Sequence, residues 1–208
     1  MSLREKFFNH LRQNLGLYLV LTGIYLSGVV FGSLGVGALQ PEHQKELAGF
    51  VQKSFAELSL GGQQLTITDL LWENLKGIVT AYVLGMTVIG MPLIFVLVFT
   101  RGFVLGFAVG FLVQFRGWQG ILVTLSGILP PNLIGLPVLL ITAVSAVSFS
   151  LSLVRRSNGW QGRQLSRQFA FYSGSVLMMA CLASLAALVQ GYFSPFLLRL
   201  ILSYTGVQ

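Results

Sequence analysis

Charge is what this sequence most lacks. Only 9% of its 208 residues are Asp, Glu, Lys or Arg, where a soluble domain carries roughly 25%. Hydrophobic residues make up 54%, and the mean hydropathy is +0.79. These values exclude an ordinary soluble domain, a disordered chain and a coiled coil. Cysteine is almost absent. Cys181 stands alone in an apolar stretch, so an intrachain disulfide or a thiolate metal cluster is excluded. Histidine is nearly as scarce. His10 and His43 are the only two, both in polar segments, and the H-E-x-x-H zinc pattern is missing. None of the six acids lies deep in an apolar run, which argues against an aspartyl dyad. A serine hydrolase would want a histidine at matching depth, and a Ser–Lys pair fails because Lys76 sits at a helix end. Proton-coupled transport relies on ionisable groups within spans, and the apolar runs are read as having none. The expectation is a protein that is not an enzyme and needs no cofactor or metal.

What remains is a set of apolar runs near or above the ~18 residues that mark a membrane span. They predict an all-α, polytopic integral membrane bundle of about five transmembrane helices plus short interfacial or half-helices, forming one membrane domain over 1–208. The spans are placed at 15–39, 77–99, 102–115, 133–154 and 169–190. The first should remain as an anchor, because its run is too long for a signal peptide and has no A-x-A cleavage site. Pro92, inside the second span, should kink it. Arg101 should close it. The run 102–115 is short for a ~30 Å core, and Ile121–Leu129 is a second short apolar piece. Pro130, Pro131 and Asn132 then predict a non-helical break, with Asn132 capping the next helix. Residues 102–132 thus read either as a short span with a surface helix or as paired half-helices.

The one long hydrophilic stretch, 40–76, carries Leu47, Phe50, Val51, Phe55 and Leu58 at helical spacing. It predicts an amphipathic helix over 41–59, with Glu42, Glu46, Lys53 and Glu57 on the polar face as candidate partner-facing residues. Such a helix could lie on the membrane, dock a partner or pack on the protein's own helices. Residues 155–168 read as a polar loop, and Phe196–Tyr204 as a short C-terminal helix. Small residues recur every fourth position at Gly28 and Gly32, and at Gly102, Gly106 and Gly110. This spacing lets helix backbones approach closely, either within one chain or across a dimer.

The net charge of +7 comes from bases beside the apolar runs, which points to membrane orientation rather than nucleic acid. With the N-terminus in the cytoplasm and five crossings, eight bases fall inside and five outside, and the C-terminus is extracytoplasmic.

The order of several segments is also familiar. Leu17-Tyr18-Leu19 leads to Gly28-Val29-Val30-Phe31-Gly32, and Leu84 to Pro92 forms a second block. The run Arg101-Gly102-Phe103-Val104-Leu105-Gly106-Phe107 through Gln114 is the most specific. Leu129-Pro130-Pro131-Asn132 and Tyr192-Phe193-Ser194-Pro195-Phe196 complete the set. Together they closely resemble the stage II sporulation protein M family. The resemblance implies a non-enzymatic scaffold in the septal membrane of a sporulating cell. Such a scaffold positions peptidoglycan hydrolases for forespore engulfment, with stage II sporulation proteins D and P as partners, alongside membrane lipid and possible self-association. Many members of the wider superfamily carry a His-Gly and a Glu where this chain has Pro131-Asn132 and Gly135, so no role is carried over there. The alternative is a small-solute or lipid transporter using the irregular region 115–132. A polar cavity reaching Asn132 would favour transport, and a closed Leu/Phe-filled interior would favour the scaffold.

Overall fold

The computed structural model describes residues 14–59, 67–87, 89–154 and 162–193, and every element among them is helical. Helix α1 covers Leu15–Gly35 and tightens into a 3-10 turn at Val36–Ala38; α2 is Pro41–Ser59, α3 Ile67–Gly85 and α4 Gly90–Arg116. Helix α5 (Trp118–Val123) runs through a π-helical turn, Thr124–Ile128, into α6 (Leu129–Val154), and α7 (Gly162–Leu188) ends in a second π-turn at Val189–Phe193. Four stretches are long and apolar enough to cross a membrane: Leu15–Ala38, Gly90–Arg116, Trp118–Leu153 and Gln168–Tyr192. The protein is an all-α polytopic membrane bundle.

Helix directions reveal a fifth membrane-length element. At the most extensive contact in the bundle, α1 and α4 run parallel: Tyr25 meets Gly102, Val29 meets Gly106 and Ser33 meets Gly110. Two parallel helices can follow each other only if the chain returns between them. Helix α3 makes that return. Its 19 residues span about 28 Å at 1.5 Å per residue, close to the thickness of a bilayer core. It lies antiparallel to α7, with Asn74 bonded to Gln190 near one end and Tyr82 bonded to Ser173 near the other. Its first half carries Asp69, Glu73, Asn74 and Lys76, which is why hydropathy alone does not single it out.

Two expected spans are therefore corrected. Residues 77–99 do not form one helix, and 102–115 is not a separate crossing. The chain breaks at 86–89, and α4 then runs without interruption through Arg101 to Arg116. Pro92 causes no kink. It stands in the first turn of α4, where its missing N–H has no intrahelical partner to lose. Side chains reinforce the backbone bonds at the break, where the Tyr82, Leu84 and Thr87 carbonyls already accept from the Met86, Thr87 and Gly90 N–H groups at 3.3, 3.0 and 3.2 Å. Ser150 donates to the Thr87 carbonyl at 2.8 Å, Thr87 donates to Leu84 at 2.9 Å, and Tyr172 donates to Tyr82 at 3.0 Å. Unsatisfied carbonyls at membrane depth would each cost several kcal/mol.

The expected interruption at Pro130, Pro131 and Asn132 is also corrected. The backbone is helical from Leu129 onward, and the irregularity lies just ahead, in the π-turn at Thr124–Ile128. Both prolines fall in the first turn after that π-turn. Its wider ladder carries the chain past the N–H groups they cannot supply. Residues 102–132 are consequently neither a surface helix nor half-helices. They are the end of α4, a tight turn at Gly117 (φ +55°) and the start of a long return helix. The polar loop expected at 155–168 is shortened, since α7 begins at Gly162. The C-terminal helix expected over 196–204 lies outside the described residues.

Helix α2 stands apart. No other helix packs along it among the described residues. Phe50 is exposed, and so are Glu42, Lys45, Glu46 and Lys53. The side chain of Glu57 lies outside the described residues.

Candidate functional site

The glycine stripes come together at one helix crossing. A Cβ on Gly28 would collide with the Phe99 carbonyl, and one on Gly32 with the Phe103 carbonyl. From the other side, Gly102 faces the Tyr25 carbonyl and Gly106 the Val29 carbonyl. Gly110 is looser, with Ser33 Cα at 3.0 Å from the ideal Cβ position. Both stripes are thus used against each other within a single chain. Phe99, Phe103 and Phe107 stack beside them at 6.4 and 6.3 Å. The consequence for function is positional: α4 is fixed against α1 on one face, and its next face turns toward α3 and α6.

On that face lies a cleft of ≈ 600 Å³. It is bordered by α1, α3, α4, α6 and α7, and by both π-turns. Arg101 reaches into it from α4, Glu73 and Asn74 from α3, Asn132 from α6, and Gln190 from the C-terminal π-turn. Arg101 is the twelfth residue of the 27 in α4, so it sits about 16 Å from the start of that helix. An arginine at this depth was not anticipated, because a charge beside an apolar run reads as the end of a span. The cue was the run itself. Leu93–Phe99 and Gly102–Phe115 are each too short to cross, and joined through Arg101 they suffice.

The surroundings of the arginine follow from small residues on α3. A Cβ at Gly77 would come within 2.6 Å of the Arg101 guanidinium, so the missing side chain makes room for it. Glu73, Asn74 and Gly77 lie on one face of α3 by their i, i+1, i+4 spacing. Asn74 Nδ2 donates to the Leu70 carbonyl at 2.9 Å and to Gln190 Oε1 at 3.3 Å. Each of the two π-turns supplies a residue to the cleft, Ile128 and Gln190. Such turns recur at functional sites because they re-aim side chains and carbonyls.

Asn132 does not cap α6. Its Nδ2 donates to the Ile128 carbonyl, four residues back, at 2.7 Å. This role needs a donor, whereas a cap needs an acceptor. Asn132→Asp should therefore be no better tolerated than Asn132→Ala, each losing about 1 kcal/mol. Melting of both in an Arg101→Gln background, where no cation in the cleft compensates a new carboxylate, checks the ranking. An Asp variant as stable as Asn would restore the capping role.

Bundle and cleft together define a polytopic membrane protein with Arg101, Glu73, Asn74, Asn132 and Gln190 bordering one open cleft between its helices. A family model for stage II sporulation protein M matches residues 21–195, most of the chain, and the protein belongs to that family. No curated protein and no solved structure matches it. Membership makes it a sporulation-related integral membrane protein.

Proposed function

We propose that the protein is a non-enzymatic scaffold that positions peptidoglycan hydrolases at the septal membrane during forespore engulfment. Stage II sporulation proteins D and P are the partners. The observation that carries this reading is α2, a charged amphipathic helix that no other described helix covers. A partner that cuts peptidoglycan works outside the cytoplasmic membrane, so α2 must face outward. With Arg101 within a span, seven bases fall on the cytoplasmic side (Arg4, Lys6, Arg12, Arg155, Arg156, Arg163 and Arg167). Lys76, the tenth of the 19 residues of α3, is likewise within a crossing, and four bases fall outside (Lys45, Lys53, Arg116 and Arg199). That bias keeps the N-terminus inside and the C-terminus outside. Trp72 and Trp118, 62% and 72% exposed, then form an outer interfacial belt.

Changing Glu42, Glu46, Lys53 and Glu57 together to Ala should leave the protein inserted at its normal level. Hydrolases should disperse from the septum and engulfment should stop. A cysteine placed at Ser157 should remain shielded from impermeant reagent in both proteins. Normal septal hydrolases in the quadruple variant would move the recruiting face away from α2, and labelling at Ser157 would invert the orientation.

A second reading has one observation in its favour. The cleft reaches Asn132 and is polar where Arg101, Asn74 and Gln190 border it, which suits a protein that handles a small solute or a lipid. Uptake or lipid exchange by the purified protein in vesicles would support it.

A further inference from the structure

We propose that the Arg101 cleft is a binding site for a phospholipid, with the guanidinium holding the headgroup phosphate. The first ground is an unpaired guanidinium. Arginine stays protonated in any protein environment, and within a bilayer core it costs about 2.5–3.5 kcal/mol even on the mildest scale. Among the described residues, Arg101 makes no hydrogen bond and no ion pair. Glu73 borders the same cleft and also forms no ion pair with it. The described protein thus brings a fixed cation to membrane depth with a carboxylate in the same cleft but not paired to it.

The second ground is shape and chemistry. At ≈ 600 Å³ the cleft falls within the ~300–1,000 Å³ typical of ligand sites. Arg101, Asn74, Asn132 and Gln190 gather on its polar part, while Leu97, Leu105 and Leu139 line the rest. A guanidinium matches phosphate through two parallel N–H···O bonds, and apolar walls suit an acyl chain. A soluble phosphate would satisfy only the first part and would have to leave water. A phospholipid satisfies both and is already present in the membrane at high density. Glu73 restricts the choice further. A second carboxylate-repelled charge on the headgroup is disfavoured beside it, so a phosphodiester with a hydroxyl or ammonium group fits better than a phosphomonoester.

The third ground is how the room is made. Gly77 leaves space where the guanidinium lies against α3, and Asn74 holds Gln190 at the cleft's edge. These features hold the site open on helices rather than on loops. The inference is independent of the scaffold reading. It also names the ligand class for the second reading, without requiring that the lipid be carried across.

The test is a titration of the full-length protein in detergent, followed by native mass spectrometry and thermal melting. The probes are phosphatidylglycerol, phosphatidylethanolamine, diacylglycerol and glycerol phosphate. Both phospholipids should bind one per protein and raise the melting temperature, whereas diacylglycerol and glycerol phosphate should do neither. Arg101→Gln should weaken phospholipid binding by about tenfold or more, the loss expected for a charge-assisted bidentate contact, and Arg101→Lys should retain part of it. Lys45→Gln, a base on α2 outside the cleft, should change nothing. Equal binding of phospholipid and diacylglycerol would reduce the site to an apolar groove and overturn the proposal, and that arm needs no variant that might misfold. Tight binding of glycerol phosphate would overturn the lipid as occupant. Undiminished binding by a folded Arg101→Gln protein would remove the arginine from the site. Failure of any of these leaves hydrolase recruitment through α2 untouched, and binding without lipid exchange leaves the carrier reading unsupported.

Discussion

Gly106→Leu should prevent the bundle from assembling, whereas Val104→Leu, two residues away, should leave it unchanged. The ideal Cβ at Gly106 overlaps the backbone of Val29, its carbonyl carbon and Cα both at 2.7 Å. Backbone atoms cannot rotate aside, so the added group must push α1 away from α4 along their whole crossing. Inserting methylenes into a packed core costs roughly 1–3 kcal/mol when side chains can adjust; here they cannot, and the loss should exceed that range. Val104 is 60% exposed, and a substitution on such a surface stays within about 0.5 kcal/mol. Between lipid-soluble helices there is no hydrophobic drive to compensate, because the lipid is as apolar as the interface. Close van der Waals contact is what holds α1, and Gly106 is where that contact is closest to the backbone. Detergent melting with size-exclusion analysis checks the pair. Gly110→Ala supplies a gradation, since its new methyl would meet Ser33 at 3.0–3.2 Å and should be milder than Gly106→Ala. Equal behaviour of Leu at 104 and 106 would mean that this face of α4 meets lipid.

Such a stripe is legible in sequence because its physics is local. Only glycine at every fourth position brings two backbones together, so Gly28/Gly32 and Gly102/Gly106/Gly110 stand out in the sequence itself. The helix class was legible for a similar reason: apolar runs of membrane length cannot be anything but helices when no strand alternation accompanies them. The break at 86–89 was not legible. Met86, Thr87, Val88 and Ile89 are as apolar as the helices on either side. What braces the turn there is tertiary: Ser150 and Tyr172, more than sixty residues away, donate to the Thr87 and Tyr82 carbonyls in addition to those carbonyls' backbone partners. Arg101 departs from the sequence expectation for the opposite reason. Charge is a reliable end marker only for a helix facing lipid on all sides, and α4 faces a polar cleft at that point. The signal that could have corrected both was Pro92, which reads more naturally as a first-turn proline of a helix beginning near Gly90 than as a kink. The prolines at 130–131 misled for a related reason. A π-turn ahead of them leaves their first-turn position harmless, and no sequence rule announces a π-turn.

The second large effect is expected at Tyr172, where those tertiary contacts converge. Its ring stacks on Phe149 at 4.7 Å and on Tyr82 at 5.2 Å, nearly parallel to the first at 6°. Its hydroxyl donates to the Tyr82 carbonyl at 3.0 Å, at the end of α3. It is 5% exposed, and Gly85 together with Ala146 closes around it, since a Cβ at Gly85 would strike both. Tyr172 thus joins α3, α6 and α7 at the level where α3 stops. Tyr172→Phe keeps the stack and removes only the donor, a loss of about 1 kcal/mol. Tyr172→Ala removes the ring as well. A void of about 100 Å³ at ~24 cal/mol per Å³ adds roughly 2.4 kcal/mol, and the aromatic pairs contribute about 0.5–1.5 kcal/mol each beyond their packing. The Ala variant should therefore melt far below the Phe variant, and the damage should appear first where α3 meets the 86–89 turn. Hydrogen exchange in detergent reads that location directly. Amides of 82–90 should open in Tyr172→Ala while those of the α1–α4 crossing, on the far side of α4, stay protected. Uniform exchange across the bundle would mean that Tyr172 merely fills volume. A Phe variant as unstable as Ala would put the whole effect on the hydrogen bond to Tyr82.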